Sequence, residues 1–192
     1  MMEDEEVIQA RENKDNRDYF LKLVKEKPLL IEWASDEIRN DKEVMLEAVK
    51  VDGGALEFSS DKLKDDKDVV ITAVKTSGWT GCYASERLRD DKDVILAAVK
   101  NDGQILYYAS ERLRDDKDVV MAAVKSKPVI IKYASLRLRN DKDIAVEAVK
   151  TAKENAVDYQ TGVLLKAVTG FISSELRNDP DIKSILEEDK KE

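Results

Sequence analysis

The sequence predicts an all-α fold, an α-solenoid of about six 25-residue two-helix repeats wound into a superhelical array. Three observations carry that expectation. A period of 25 residues runs through most of the chain, apolar positions inside each period follow helical spacing, and a helix-start signal returns at the same place in every copy. The stretch ASERLRDDKDVILAAVK, Ala84–Lys100, comes back as ASERLRDDKDVVMAAVK, Ala109–Lys125, with 15 of 17 positions identical.

Set in rows of 25, the chain falls into columns. Asp41, Asp66, Asp91, Asp116 and Asp141 share one, and Lys42, Lys67, Lys92, Lys117 and Lys142 the next. Ala48, Ala73, Ala98, Ala123 and Ala148 form a column without exception, followed by valine and then lysine, Lys50 to Lys150. The other half of each row holds an aromatic residue (Trp33, Phe58, Tyr83, Tyr108, Tyr133) and a serine (Ser35, Ser60, Ser85, Ser110, Ser135). A degenerate first row starts at Asn16. A last half-copy is visible in FISSELRNDPDI, where Asp179 follows Asp141 by 38 residues, so about 13 extra residues lie between Thr151 and Lys166. One domain over 1–192 is expected: an N-terminal cap at 1–15, repeats at 16–40, 41–65, 66–90, 91–115 and 116–140, a repeat with an insertion at 141–178, and a C-terminal cap at 179–192.

The first helix of a row, typified by Asp41–Lys50, spreads Val44, Met45, Leu46, Ala48 and Val49 over an arc of about 200°. That width suits a helix gripped on both flanks by neighbouring repeats. The all-alanine column marks a close approach. The second helix carries Ile31, Ala34 and Ile38 in one row and Leu106, Ala109 and Leu113 in another, an i, i+3, i+7 stripe. Pro28, Gly53, Gly78, Gly103 and Pro128 share a column. Proline fixes φ near −65°, so the glycines there do not serve positive φ, and the column reads as the first turn of the second helix.

The repeated Asp-Asp-Lys-Asp suggests a calcium loop at first sight. A calcium-binding helix–loop–helix needs a glycine at the sixth position and a glutamate at the twelfth, but here an apolar residue follows the acids at once. The spacing of Asn40, Asp65, Asp90, Asp115 and Asn140 to Glu43, Asp68, Asp93, Asp118 and Asp143 reads instead as a capping box, with the N-cap at the first residue and an acid at N3. No metal site and no cofactor are expected.

Composition narrows the function. The net charge of −8 argues against a nucleic-acid or anionic-membrane partner. Histidine is absent and Cys82 is the lone cysteine, so no His-based triad or His-ligated zinc can form, and no internal disulfide. The start MMEDEE has no apolar run and reads as no signal peptide. No catalytic residue is assigned. A carboxylate-based hydrolase ranks as a weak third reading, because acids other than the caps are missing from any recognisable pair.

The columns that vary are where a binding surface can be written. They are Glu32, Glu57, Cys82, Tyr107, Lys132 and Leu29, Gly54, Trp79, Gln104, Val129. Trp79, Cys82, Gln104, Tyr107 and Lys132 are therefore the candidate partner-binding residues. The third row, TSGWTGCYAS, also replaces a core Leu or Ile with Gly81; either the Trp79 indole fills the space, or a shallow pocket opens with Trp79, Cys82 and Tyr107 on its rim.

The pattern LRDDKDVxxAAVKxxGxxLxYASExL resembles the repeat family catalogued as domain of unknown function 4116, over about Asn16 to Ile182. The resemblance implies tandem helical arrays of bacterial and protist proteins, some counted among candidate host-directed effectors, with no activity attached to the motif. The expected function is a non-enzymatic protein–protein interaction scaffold, monomeric and cytoplasmic, with a protein partner. The alternative is a secreted bacterial effector module, exported without a cleaved signal peptide, for which the tail ILEEDKKE would be compatible.

Overall fold

The computed structural model describes residues 5–155 and 160–187. The start of the expected N-terminal cap, the centre of the expected insertion and the end of the ILEEDKKE tail lie outside the described residues. The described residues are helical throughout, with no strand, and the chain divides into two compact units, Met1–Asn101 and Asp102–Glu192. It is an all-α solenoid of tandem repeats.

Each repeat has three pieces rather than two helices. A ten-residue α-helix such as Lys42–Val51 is followed by a 3₁₀-helix, Gly53–Phe58, and then a one-turn α-helix, Asp61–Lys64. Lys67–Thr76, Gly78–Tyr83 and Glu86–Arg89 repeat the order in the first unit. Lys117–Ser126, Pro128–Tyr133 and Leu136–Arg139 repeat it in the second. The expected continuous second helix breaks at the serine column. Ser60 is extended at ψ 157° and its hydroxyl accepts the Leu63 N–H, which makes it an N-cap. Serine competes for backbone hydrogen bonds and so starts helices better than it continues them.

The long helices bury the apolar arc as expected. Val44, Met45, Ala48 and Val49 are fully buried, as are Val119, Val120, Ala123 and Val124. In the first unit Lys42–Val51 packs on Lys67–Thr76, which packs on Lys92–Asn101; in the second, Lys117–Ser126 packs on Lys142–Glu154. Each fully buried valine contributes on the order of 1.5–3 kcal/mol through apolar surface removed from water. Ala97 and Ala122, each one residue before the buried alanine column, are half-exposed.

The glycine column serves close approach. A Cβ on Gly53 would lie 2.3 Å from the Ala73 carbonyl oxygen, and one on Gly103 would lie 2.5 Å from that of Ala123. No positive φ is involved. The column does open the second half of the repeat: Pro28, Gly53 and Pro128 each stand first in their 3₁₀-helix.

The caps are one residue later than the spacing suggests. Asp41, not Asn40, is the N-cap: its Oδ1 accepts the N–H groups of Glu43 and Val44 at 2.9 and 3.1 Å. Asp66, Asp91 and Asp141 do the same. Asn40, Asp65 and Asp115 instead close the preceding one-turn helix as its C-cap. The short helix that ends there occupies the residue the spacing had given to the long one.

The motif is then explained by its second oxygen and its lysine. Lys42 bridges Asp66 and Asp68 of the next repeat at 2.7 and 3.0 Å. Lys67 bridges Asp91 and Asp93 at 2.8 and 2.9 Å. Lys117 bridges Asp141 and Asp143 at 2.9 and 2.7 Å. Arg17 does so in the degenerate first row, on Asp41 and Glu43 at 2.6 and 2.5 Å. Across the insertion, Lys142 reaches Asp179 and Asp181 at 2.9 and 2.8 Å, so the last half-copy keeps its register. The Arg17 hydrogen bond holds the Asp41 carboxyl below the ordinary carboxylate range, and the aspartates push Lys42 and Lys117 up.

The ASER segment forms a second clasp. The Ser85 hydroxyl donates to Asp65 of the preceding repeat, and Arg87 grips the same carboxylate at 3.0 and 3.2 Å and the Asp65 carbonyl at 2.6 Å. Ser135 and Arg137 hold Asp115 identically in the second unit. The Ser hydrogen bond, then the Arg, lowers the pKa of Asp65 and Asp115.

Candidate binding surface

A 3₁₀-helix has three residues per turn, so side chains at i and i+3 eclipse. In every repeat this sorts the segment into faces. Gly53 and Leu56, Gly103 and Leu106, and Pro128 and Ile131 are buried. The two variable columns stand three residues apart and share the outward face at Trp79 with Cys82, Gln104 with Tyr107 and Val129 with Lys132, whereas Gly54, in the column of Trp79, is buried.

In the first unit, Trp79 is 44% exposed and meets Tyr83 edge-on, with ring centroids 5.5 Å apart. The expected filling of the Gly81 space by the indole is therefore not found. Gly81 points into the core two positions along a three-residue turn, on a different face from Trp79. Cys82, beside Trp79 on the outward face, is half-buried. Burial, and after it the nearby Glu57, raises its thiol pKa, which keeps the sulfur protonated at neutral pH and a weak nucleophile.

In the second unit, Tyr107 is 53% exposed, and Gln104 and Lys132 are exposed. The Tyr107 ring lies 4.8 Å from that of Tyr133 and 4.9 Å from that of Tyr108. The Lys132 ammonium stands 4.6 Å from the centre of the Tyr133 ring, a cation–π distance. Tyr133 thus joins Tyr107 to Lys132, while Gln104 lies one turn before Tyr107.

Besides Tyr133, two residues of this surface were not among the candidates taken from the sequence. Tyr108, 41% exposed, belongs to the otherwise half-buried aromatic column; its 3₁₀-helix ends one residue early, at Tyr107, and the backbone turns through αR at Tyr108. Leu136, 70% exposed, is the more legible: its column otherwise reads Asp36, Asp61, Glu86 and Glu111, so a leucine there breaks the pattern.

Among the described residues, no helix is long and apolar enough to cross a membrane. No curated protein and no solved structure matches the chain. The family model described as Domain of unknown function (DUF4116) matches in tandem at residues 16–64, 42–89, 66–114, 91–137 and 116–157. With well over half of its length covered by these overlapping copies, the chain belongs to the DUF4116 family.

Proposed function

We propose that the chain is a non-enzymatic scaffold for protein–protein interaction. The observation that carries this reading is the outward side of the 3₁₀-helices within each of the two units. Its residues are free of the capping, bridging and stacking duties that occupy the repeated columns, and it holds exposed aromatic side chains at Trp79 and Tyr107. Large exposed aromatics are enriched among interface hot spots, since they bring much contact area at little entropic cost.

The test is crosslinking and capture of a partner by the full chain, followed by affinity measurements on variants. Tyr107→Ala is expected to weaken binding by at least about 2 kcal/mol, as hot-spot truncations do. Its melting temperature should stay close to that of the wild type. Wild-type affinity for Tyr107→Ala, with loss of binding in a folded Asp93→Asn variant, would move the surface to the capping edge and sink the assignment.

A further inference from the structure

The second unit has a cleft of about 310 Å³ beside the tyrosine cluster, walled by Arg114, Tyr133, Ser135, Leu136 and Arg139, with Glu111 at its edge. The Nε atoms of Arg114 and Arg139 are buried and have no acceptor, as in Arg39 and Arg89 of the same column, so the orphan donor is common to the rows and the missing acid is what sets this row apart. An arginine donor without an acceptor is a standing demand for one, and a planar guanidinium matches a carboxylate best.

The repeat normally supplies an acid three residues before this arginine. Arg39 pairs with Asp36, and Arg114 lies 4.0 Å from Glu111. In the fifth row that acid is replaced by Leu136, and no ion pair joins Arg139 to a described residue. The same substitution that frees Arg139 adds a 70% exposed leucine to the cleft wall, next to Tyr133. Charge around it agrees. Residues 103–139 hold eight Lys and Arg against four Asp and Glu, in a chain whose net charge is −8.

We propose that this cleft takes an acidic peptide segment in which a carboxylate lies beside a large apolar side chain. The carboxylate meets Arg139 and Arg114, and the apolar side chain covers Leu136 and Tyr133. A nucleic acid fits less well. It needs a run of free cations along its phosphates, whereas Lys117 is already bound to Asp141 and Asp143 and Arg137 to Asp115. A bare anion would leave Leu136 in water. The proposal rests on the scaffold reading and names its partner chemistry.

The experiment uses the full chain and a fluorescein-labelled octapeptide, Gly-Ser-Asp-Phe-Asp-Leu-Ser-Gly, followed by anisotropy. Control peptides carry Asn for both Asp, or Ala for Phe and Leu. The Asp peptide should bind about tenfold tighter than either control, and added salt should weaken it. Arg139→Gln should cost about tenfold in affinity. Leu136→Glu, which restores the acid of the other rows and so keeps the fold, should cost as much, with an unchanged melting temperature. Equal binding of the Asp and Asn peptides, or wild-type affinity in both variants, overturns the proposal. So does a labelled oligonucleotide that outcompetes the peptide at Arg139. If the cleft variants change nothing while a captured protein still depends on Tyr107, the scaffold reading stands and the cleft assignment alone falls.

Discussion

Residues 28–64 of the first unit and 103–139 of the second are built from the same elements in the same order, yet their charges are opposed. The first holds nine acids and five bases, the second four and eight. Glu32, Glu57, Asp61 and Lys62 stand where the second has Tyr107, Lys132, Leu136 and Arg137. Between them Ala48 and Ala123, Asp41 and Asp116, and Ser60 and Ser135 are unchanged. The difference teaches that the frame depends on side chains at the junctions between repeats, and that the outward faces are free to be rewritten. One copy can then be an acidic, solvated spacer while another carries an aromatic, basic surface.

The comparison breaks most easily at the junctions. Ala48→Leu and Ala123→Leu should each destabilise by about 1–3 kcal/mol in a urea melt, since both alanines are fully buried between stacked helices. The half-exposed neighbour should tolerate the same change: Ala122→Leu is expected to stay within about 0.5 kcal/mol. Equal losses at Ala122 and Ala123 would show that the helix face is assigned wrongly.

A smaller effect separates cap from neighbour. Asp141→Ala should cost about 1 kcal/mol, because it removes the acceptor of two N–H groups at the start of Lys142–Glu154. Asn40→Ala removes only an acceptor of the Ser60 hydroxyl and should cost less in the same melt.

Acid should reach both units alike. Asp41, Asp65 and Asp115 have folded pKa values below the ordinary carboxylate value, because Arg17, Ser85 with Arg87, and Ser135 with Arg137 favour the ionised form. Stability from these groups is therefore present above the unfolded pKa of about 4 and drains away as pH falls below it towards the folded values. With no histidine in the chain, the melting temperature should be flat from about pH 5 to 7 and drop below about pH 4. A drop centred near pH 6 would contradict this.

The smallest expected effect is none. Calcium should leave the melting temperature within a few degrees, since the repeated aspartates already accept backbone N–H groups with one oxygen and a lysine with the other. A larger rise would require specific binding by linkage.

Much of this frame was legible in the sequence. The 25-residue period, the buried alanine column, the presence of a side-chain cap at the start of the long helices and the last half-copy at Asp179 all followed from spacing. What escaped were features with no helical period of their own. The split of the second helix depends on Ser60 and its equivalents choosing to cap, a local competition that apolar spacing does not register. The N-cap slipped by one residue because the DD pair offers two acids of equal propensity, and only the short helix ending at Asp65 decides between them. The bridge from Lys42 to Asp66 and Asp68 joins residues 24 and 26 apart, which only the stacking distance reveals. At the binding surface, Trp79 and Tyr107 were readable as variable and outward. Leu136 was readable too, but as a departure from an acidic column rather than as a conspicuous residue.

The central claim is that the outward faces can be exchanged without touching the frame, and one chain tests it directly. Glu57→Lys and Asp61→Leu together give the first unit the surface that Lys132 and Leu136 give the second. The urea midpoint of that chain, with its slope, should correspond to a stability within about 0.5 kcal/mol of the wild type, as for surface changes away from packed or capped positions. A loss of more than about 2 kcal/mol, or a broadened transition, would contradict it and place these faces among the determinants of the fold.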